Sequence, residues 1–224
     1  MKCAIAIFAK TAGLSPVKTR LAETVGRERA ETFYQHSVAS IENVVCEAVN
    51  SNPDFHPFWA LAEAEAVELP QWRNFPALWT GKGDLGERLA NISEQLFKKH
   101  DAVIFIGTDS PQLTPRVFEF THDFLQKCSY ECLIGPATDG GFYLFGSASP
   151  LPRMTWETVT YSERSTLAEL EEMIEQSGRC VERLKEEQDV DTEVDLHRVF
   201  ERLSQSRHQL LPAQKCLLDW LESL

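Results

Sequence analysis

Positive charge is scarce in this chain: 22 Lys and Arg stand against 34 Asp and Glu among 224 residues, a formal net charge of −12. A nucleic-acid binder normally presents a basic face, and a chain this acidic argues against one. Long apolar runs are missing as well. The opening stretch meets Lys10 after only a few apolar residues and no small-residue cleavage site follows, so it is too short for a leader or a membrane span. It reads instead as a buried strand of a cytoplasmic protein. There is no internal repeat, no low-complexity tract and no GxxxxGK[ST] phosphate loop. The six cysteines are scattered, and the closest pair, Cys128 and Cys132, lacks the spacing of a zinc pair. They are expected to be buried cytosolic thiols. With so few cations, the places where they gather carry information.

What is present is an alternation of strand and helix patterns. Strands are expected over 2–8, 55–61, 78–80, 102–106, 131–134, 142–145 and 180–184. Helices are expected over 17–22, 27–49, 85–98, 115–126, 162–176, 194–203 and 213–224. Such alternation implies βαβ units, hence an α/β fold with a mainly parallel central sheet covered by helices on both faces. One domain over 1–205 is expected, with 206–224 as a helical extension. The apolar face of that extension, with Leu217, Leu218, Trp220 and Leu221, would pack on the domain or form a homodimer contact. Ligands of open α/β sheets bind beyond the carboxyl ends of the strands. The informative loops are therefore 9–20, 81–88, 107–114, 135–141 and 185–195.

The first of these places Lys10, Lys18 and Arg20 on a small-residue loop between a strand and a helix, a composition able to wrap phosphates. The second, Gly81-Lys82-Gly83-Asp84-Leu85-Gly86, matches GxGxxG ahead of a helix, so a Rossmann dinucleotide site is a rival reading. Against it, the first loop is basic and glycine-poor. The third, Gly107-Thr108-Asp109-Ser110-Pro111, puts Asp109 directly after a buried strand, where it could hold Mg²⁺ or Mn²⁺ against a diphosphate or simply cap the next helix. The fourth, Asp139-Gly140-Gly141, has the composition of a hairpin turn that could carry Asp139 to a substrate. In the fifth, Asp189-Val190-Asp191-Thr192-Glu193-Val194-Asp195, Thr192 and Asp195 suit a capping box, and Asp191 could complete a two-carboxylate metal site with Asp109.

Taken together, FAKTAGLSPVKTRLA, GKGDLGERLA, IGTDSPQLTP, GPATDGGFYLFG and DVDTEVDL, in this order, resemble the bacterial family known as rSAM/selenodomain-associated transferase 1, over about residues 3–200. The chain is more distantly similar to 2-phospho-lactate guanylyltransferase. Many relatives carry Pro-x-Pro-Gly in the first loop, where Ala12-Gly13-Leu14-Ser15 stands here. The resemblance implies a GT-A-like, nucleotide-diphospho-sugar transferase fold and a divalent metal, Mg²⁺ or Mn²⁺, on Asp109 and Asp191. It implies nucleotide contacts from Lys10, Lys18, Arg20, Gly83, Asp84 and Arg88, and acceptor contacts from Asp139, Gly140, Gly141 and Tyr143. Asp109, Lys18 and Asp139 are the candidate catalytic groups. The activity implied is glycosyl transfer from a nucleotide-sugar to a small-molecule acceptor. Nucleotidyl transfer from a nucleoside triphosphate and a non-catalytic nucleotide-binding module remain alternatives.

Overall fold

A computed structural model describes residues 1–224. The chain forms seven strands: β1 (Cys3–Ala9), β2 (Phe55–Leu61), β3 (Ala77–Trp79), β4 (Ala102–Ile106), β5 (Glu131–Pro136), β6 (Phe142–Ser147) and β7 (Cys180–Arg183). They build one sheet in the order β3-β2-β1-β4-β6-β5-β7. β1 pairs parallel with β2 and β4, β2 with β3, and β5 with β7. β6 alone runs against its neighbours, antiparallel to both β4 and β5. The turn between β5 and β6 therefore lies at the edge of the sheet where the parallel strands end.

Side chains alternate across a strand, and both faces of this sheet are covered. Ile5, Ile7, Ile104 and Ile106 face one core with α2 (Arg27–Ser51) and α4 (Arg116–Lys127). Ala4, Ala6, Val103 and Phe105 face the other, with α3 (Leu85–Leu96), α5 (Arg153–Glu157) and α6 (Thr166–Gln176). A third core joins α1 (Thr19–Val25), α2, α7 (Glu193–Gln205) and α8 (Pro212–Glu222) through Leu21, Phe33, Val199, Leu217 and Leu218. The C-terminal extension thus packs on the domain: Gln214 Nε2 donates to the carbonyls of Pro111 (2.8 Å) and Leu113 (2.9 Å), and Trp220 stacks on His36. No helix is long and apolar enough to cross a membrane.

Several expectations need correction. Cys3 and Cys132 are buried, but Cys180 and Cys216 are exposed. The first lies on the edge strand β7 and the second on the outer side of α8, where the apolar patterning does not reach the core. Helix α6 starts at Thr166 rather than at 162, because Ser162 takes up a left-handed conformation (φ 65°) that no helix continues. The five-residue α5 is too short for a periodic pattern to announce it.

Candidate active site

The strand ends and the β5–β6 turn enclose an open cavity of about 460 Å³. Its floor is the carboxyl end of β4, and the loop after β1 forms one wall. That loop is firmly built. Tyr34 Oη accepts from the Lys10 N–H (2.9 Å) and donates to the Lys10 carbonyl (2.8 Å). The Thr11 N–H donates to Glu63 Oε2 at 3.0 Å, and Trp72 Nε1 donates to Thr11 Oγ1 at 3.2 Å. Leu14 and Ser15 N–H groups close a turn on the Thr11 carbonyl. Tyr34, Glu63 and Trp72 are spread along the chain and belong to no motif, so sequence reasoning had no signal for them.

Lys18 is the centre of the site. Its side chain is only 3% exposed, and Nζ lies 2.5 Å from Asp109 Oδ1 and 3.2 Å from Asp191 Oδ1. It also donates to the Val190 carbonyl at 2.5 Å. An ammonium has three N–H donors, and all three have partners here. Burial alone would lower the lysine pKa; the charges of Asp109, Asp191 and Asp189 outweigh it and hold the ammonium above its ordinary value. The Lys18 backbone is left-handed (φ 47°, ψ 44°) at the start of α1. Lys18 and Ser162 are the only non-glycine residues with positive φ, and both line the cavity. Strain of this kind concentrates at functional positions.

The loops after β4 and β7 are laced together beneath this lysine. The Val190 N–H donates to the Asp109 carbonyl at 3.0 Å, and Gln112 Nε2 donates to the Gln188 carbonyl at 2.7 Å. Ser110 Oγ donates to Asp189 Oδ1. Asp195 Oδ2 accepts from the N–H (2.9 Å) and hydroxyl (2.7 Å) of Thr192 at the start of α7. The lacing delivers Asp109 and Asp191 to a shared cation although they are far apart in sequence. It also delivers Asp189, which the sequence reading had not singled out. Burial, then the charge of Asp109, pushes the Asp189 carboxyl up to about 7; the hydrogen bond from Ser110 and the charge of Lys18 oppose that rise, and Asp139 adds to it.

Of the residues expected at the site, Lys10, Lys18, Arg20, Arg88, Asp109, Asp139, Gly141, Tyr143 and Asp191 line the cavity. Gly83, Asp84 and Gly140 do not. Asp84 is the N-cap of α3: its Oδ1 accepts from the Glu87 N–H (3.0 Å), and its own N–H donates to Glu87 Oε2 (2.9 Å), a capping box. Gly83 supplies a carbonyl to Arg88 Nε at 3.1 Å. A Cβ on Gly140 would stand 2.4 Å from the Arg164 carbonyl oxygen, so this glycine lets the β5–β6 turn close against the segment ahead of α6. Within the turn, Asp139 Oδ1 accepts from the Gly141 N–H at 2.9 Å. The same segment brings Tyr161, Ser162 and Glu163 to the cavity, which the sequence had assigned largely to a helix.

The GxGxxG stretch follows β3, a three-residue strand at the edge of the sheet. A Cβ on its third glycine, Gly86, would meet the Trp156 carbonyl at 2.4 Å. These glycines serve helix entry and packing, and the topology gives the motif no central crevice of the dinucleotide-binding kind.

The sequence profile of a family described as "Uncharacterized protein conserved in bacteria (DUF2064)" matches residues 54–163. No curated protein matches the chain. Among solved structures, a protein of Desulfovibrio desulfuricans G20 provisionally named a nucleotide-diphospho-sugar transferase is 24% identical, with a TM-score of 0.84 over 99% of this chain and 96% of its own. The synthetase of CMP-2-keto-3-deoxy-manno-octonic acid, solved with CTP, is 15% identical, with a TM-score of 0.52 over 93% of this chain and 100% of its own. The 4-diphosphocytidyl-2C-methyl-D-erythritol synthase of Anaerococcus prevotii DSM 20548 is 12% identical, with a TM-score of 0.55 over 91% and 98%. At these identities the likeness establishes the fold. The match to DUF2064 is thus confined to residues 54–163, and the chain as a whole has the nucleotide-diphospho-sugar transferase fold.

Proposed function

We propose that the protein is a transferase that uses a nucleotide-diphospho-sugar donor, a glycosyltransferase. The observation that carries this reading is the cavity at the carboxyl edge of the sheet, where the cations of the β1 loop meet the Asp109–Lys18–Asp191 cluster. Lys10 and Arg20, on the rigidly held β1 loop, would bind the diphosphate. Arg88, tied to the Gly83 carbonyl, would stand beside the nucleoside. Lys18 would hold Asp109 and Asp191 in position and stabilise charge developing on the leaving diphosphate, exchanging one carboxylate for a phosphate oxygen. Asp139, whose Oδ1 is held by the Gly141 N–H, would receive the acceptor proton.

The donor set suits a hard divalent cation. Asp109 and Asp191 offer carboxylate oxygens to the cavity, with side chains 44% and 36% exposed. No group of three or more acidic, histidine or cysteine side chains forms a closed metal cage. Mg²⁺ usually takes one or two carboxylates together with substrate phosphate, so Asp109 and Asp191 are the residues that would hold Mg²⁺ or Mn²⁺. Such a cation, when bound, supplies positive charge to the departing diphosphate.

Nucleotidyl transfer is the second reading. It is favoured by the gathering of Lys10, Lys18 and Arg20 on one loop of an otherwise acidic protein, which suits a triphosphate. Thermal melting with nucleoside triphosphates, diphosphates and nucleotide-sugars, each with and without Mn²⁺ or Mg²⁺, tests the proposal. A ligand at a hundred times its Kd stabilises by about 2.7 kcal/mol. The donor reading expects stabilisation by one nucleotide-sugar beyond that given by its diphosphate. Selective stabilisation by a triphosphate would replace it with nucleotidyl transfer, and silence from every nucleotide would remove both.

A further inference from the structure

The charged lining of the cavity is divided along the strand order. Its four cations are Lys10, Lys18 and Arg20 after β1 and Arg88 on α3, which follows β3. The β5–β6 turn, the segment ahead of α6 and the loop after β7 contribute Asp139, Glu163, Asp189 and Asp191, and no lysine or arginine. Cations near this wall in sequence are engaged elsewhere. Arg164 is exposed and lies outside the lining, with its backbone against Gly140. Arg183 pairs with Glu171, and Lys185 lines a separate depression with Glu186, Glu187, Arg198 and Arg202. Lys18 is already shared by Asp109 and Asp191, so it leaves Asp139 and Glu163 without a positive partner.

This division selects a ligand by charge. A phosphate or carboxylate set against Asp139 and Glu163 would meet like charge with no cation to offset it, a juxtaposition that weakens binding. Ionised carboxylates only accept hydrogen bonds. What they reward is a donor, a hydroxyl or an ammonium. Phe142, Tyr143 and Tyr161 also line the cavity and add apolar surface on this side.

We propose that the second substrate is a hydroxyl- or amine-bearing small molecule without a phosphate or carboxylate group, received on the wall formed by Asp139 and Glu163. The inference rests on the reading of the cation half as the nucleotide-sugar site. An anionic second substrate is what nucleotidyl transfer to a phosphorylated molecule would require, so the wall also separates the two readings given above.

The test is a ranking of three matched probes, glucosamine, glucose and glucose 6-phosphate, by saturation-transfer NMR on the full chain. The protein is first saturated with whichever of UDP, GDP, CDP or ADP raises its melting temperature in the presence of diamagnetic Mg²⁺, which removes Lys10 and Arg20 from reach. Glucose 6-phosphate is expected to bind at least roughly tenfold more weakly than the other two. In Glu163→Lys and Asp139→Lys, both at exposed positions, it is expected to gain at least roughly tenfold on them. Equal or preferred binding of glucose 6-phosphate by the wild type overturns the proposal. So does an unchanged ranking in both variants, or failure of all three probes to bind. If no diphosphate stabilises the protein, the nucleotide-sugar reading itself fails. The ranking is then taken on the Lys10→Ala/Arg20→Ala double variant, where it still decides the character of the acidic wall.

Discussion

Replacing Lys18 tests whether the cluster is held together by its buried cation. Removing one partner of a buried ion pair typically costs about 3–5 kcal/mol, because the other charge is left unpaired. Here the partners, Asp109 and Asp191, are 44% and 36% exposed and can partly rehydrate, so Lys18→Ala is expected to lose about 2–3 kcal/mol. Lys18→Gly removes the same ammonium but accepts the left-handed backbone (φ 47°) without a Cβ penalty. It should therefore be about 1 kcal/mol more stable than the alanine variant, the reverse of the Ala-over-Gly order of a helix interior. The pH dependence has a definite sign. The folded-state pKa of Lys18 is raised, so its contribution is complete below the ordinary lysine value and is lost only as pH rises through the folded value. At neutral pH the wild type holds all of it. The difference from Lys18→Ala should persist at neutral pH and shrink only at alkaline pH, above the ordinary lysine value. Urea denaturation of the three proteins at neutral and alkaline pH reads both effects. An alanine variant within about 0.5 kcal/mol of wild type at neutral pH, or one as stable as the glycine variant, would refute the reasoning.

Three further outcomes follow from the same geometry. Asp189→Asn should stabilise the protein at neutral pH by about 1–3 kcal/mol, since the Asp189 carboxyl, raised to about 7, takes up stability as it ionises; the gain should vanish as pH falls toward the ordinary aspartate value, and a melt that shows no such convergence contradicts the assignment. Gly140→Ala should cost about 1–3 kcal/mol, because its Cβ would press on the backbone of Arg164, and hydrogen exchange should quicken at the Leu167 N–H, now bonded to the Gly140 carbonyl at 2.9 Å. Tyr34→Phe leaves the Lys10 N–H and carbonyl without their phenol partner; a loss of about 1–3 kcal/mol, with weaker nucleoside diphosphate binding, is expected, and unchanged affinity would free the β1 loop from dependence on Tyr34.

The fold was legible where local pattern and burial agree. Ala102–Ile106 is a continuous apolar run bounded by turn residues, and both it and Phe55–Leu61 form strands with the expected limits. The hairpin composition of Asp139-Gly140-Gly141 pointed to the antiparallel pairing of β6 with β5, but the insertion of β6 between β4 and β5 was not legible, because apolar content says that a strand is buried and not which strand it lies beside. The carboxyl-edge position of the candidate site followed from strand–helix alternation, and nine of the residues named there or implied by the family resemblance line the cavity. The pairing of Lys18 with Asp191 spans 173 positions and no local pattern records it. Asp189 was hidden in an acidic run that reads as solvated surface, while the lacing of the β4 and β7 loops turns that carboxylate toward Ser110. Asp84 misled in the other direction: next to a glycine-rich stretch it looked like a ligand, and it caps a helix.

The central claim is that the cavity cleaves the bond between a sugar and a nucleoside diphosphate. Phosphorus NMR of the protein incubated with diamagnetic Mg²⁺ and the nucleotide-sugar that stabilises it most, with glucose or glucosamine present, tests this most directly. The account predicts conversion of the donor signals to those of the free nucleoside diphosphate, and no conversion with Asp109→Asn. An inert nucleotide-sugar alongside pyrophosphate release from a nucleoside triphosphate would contradict it.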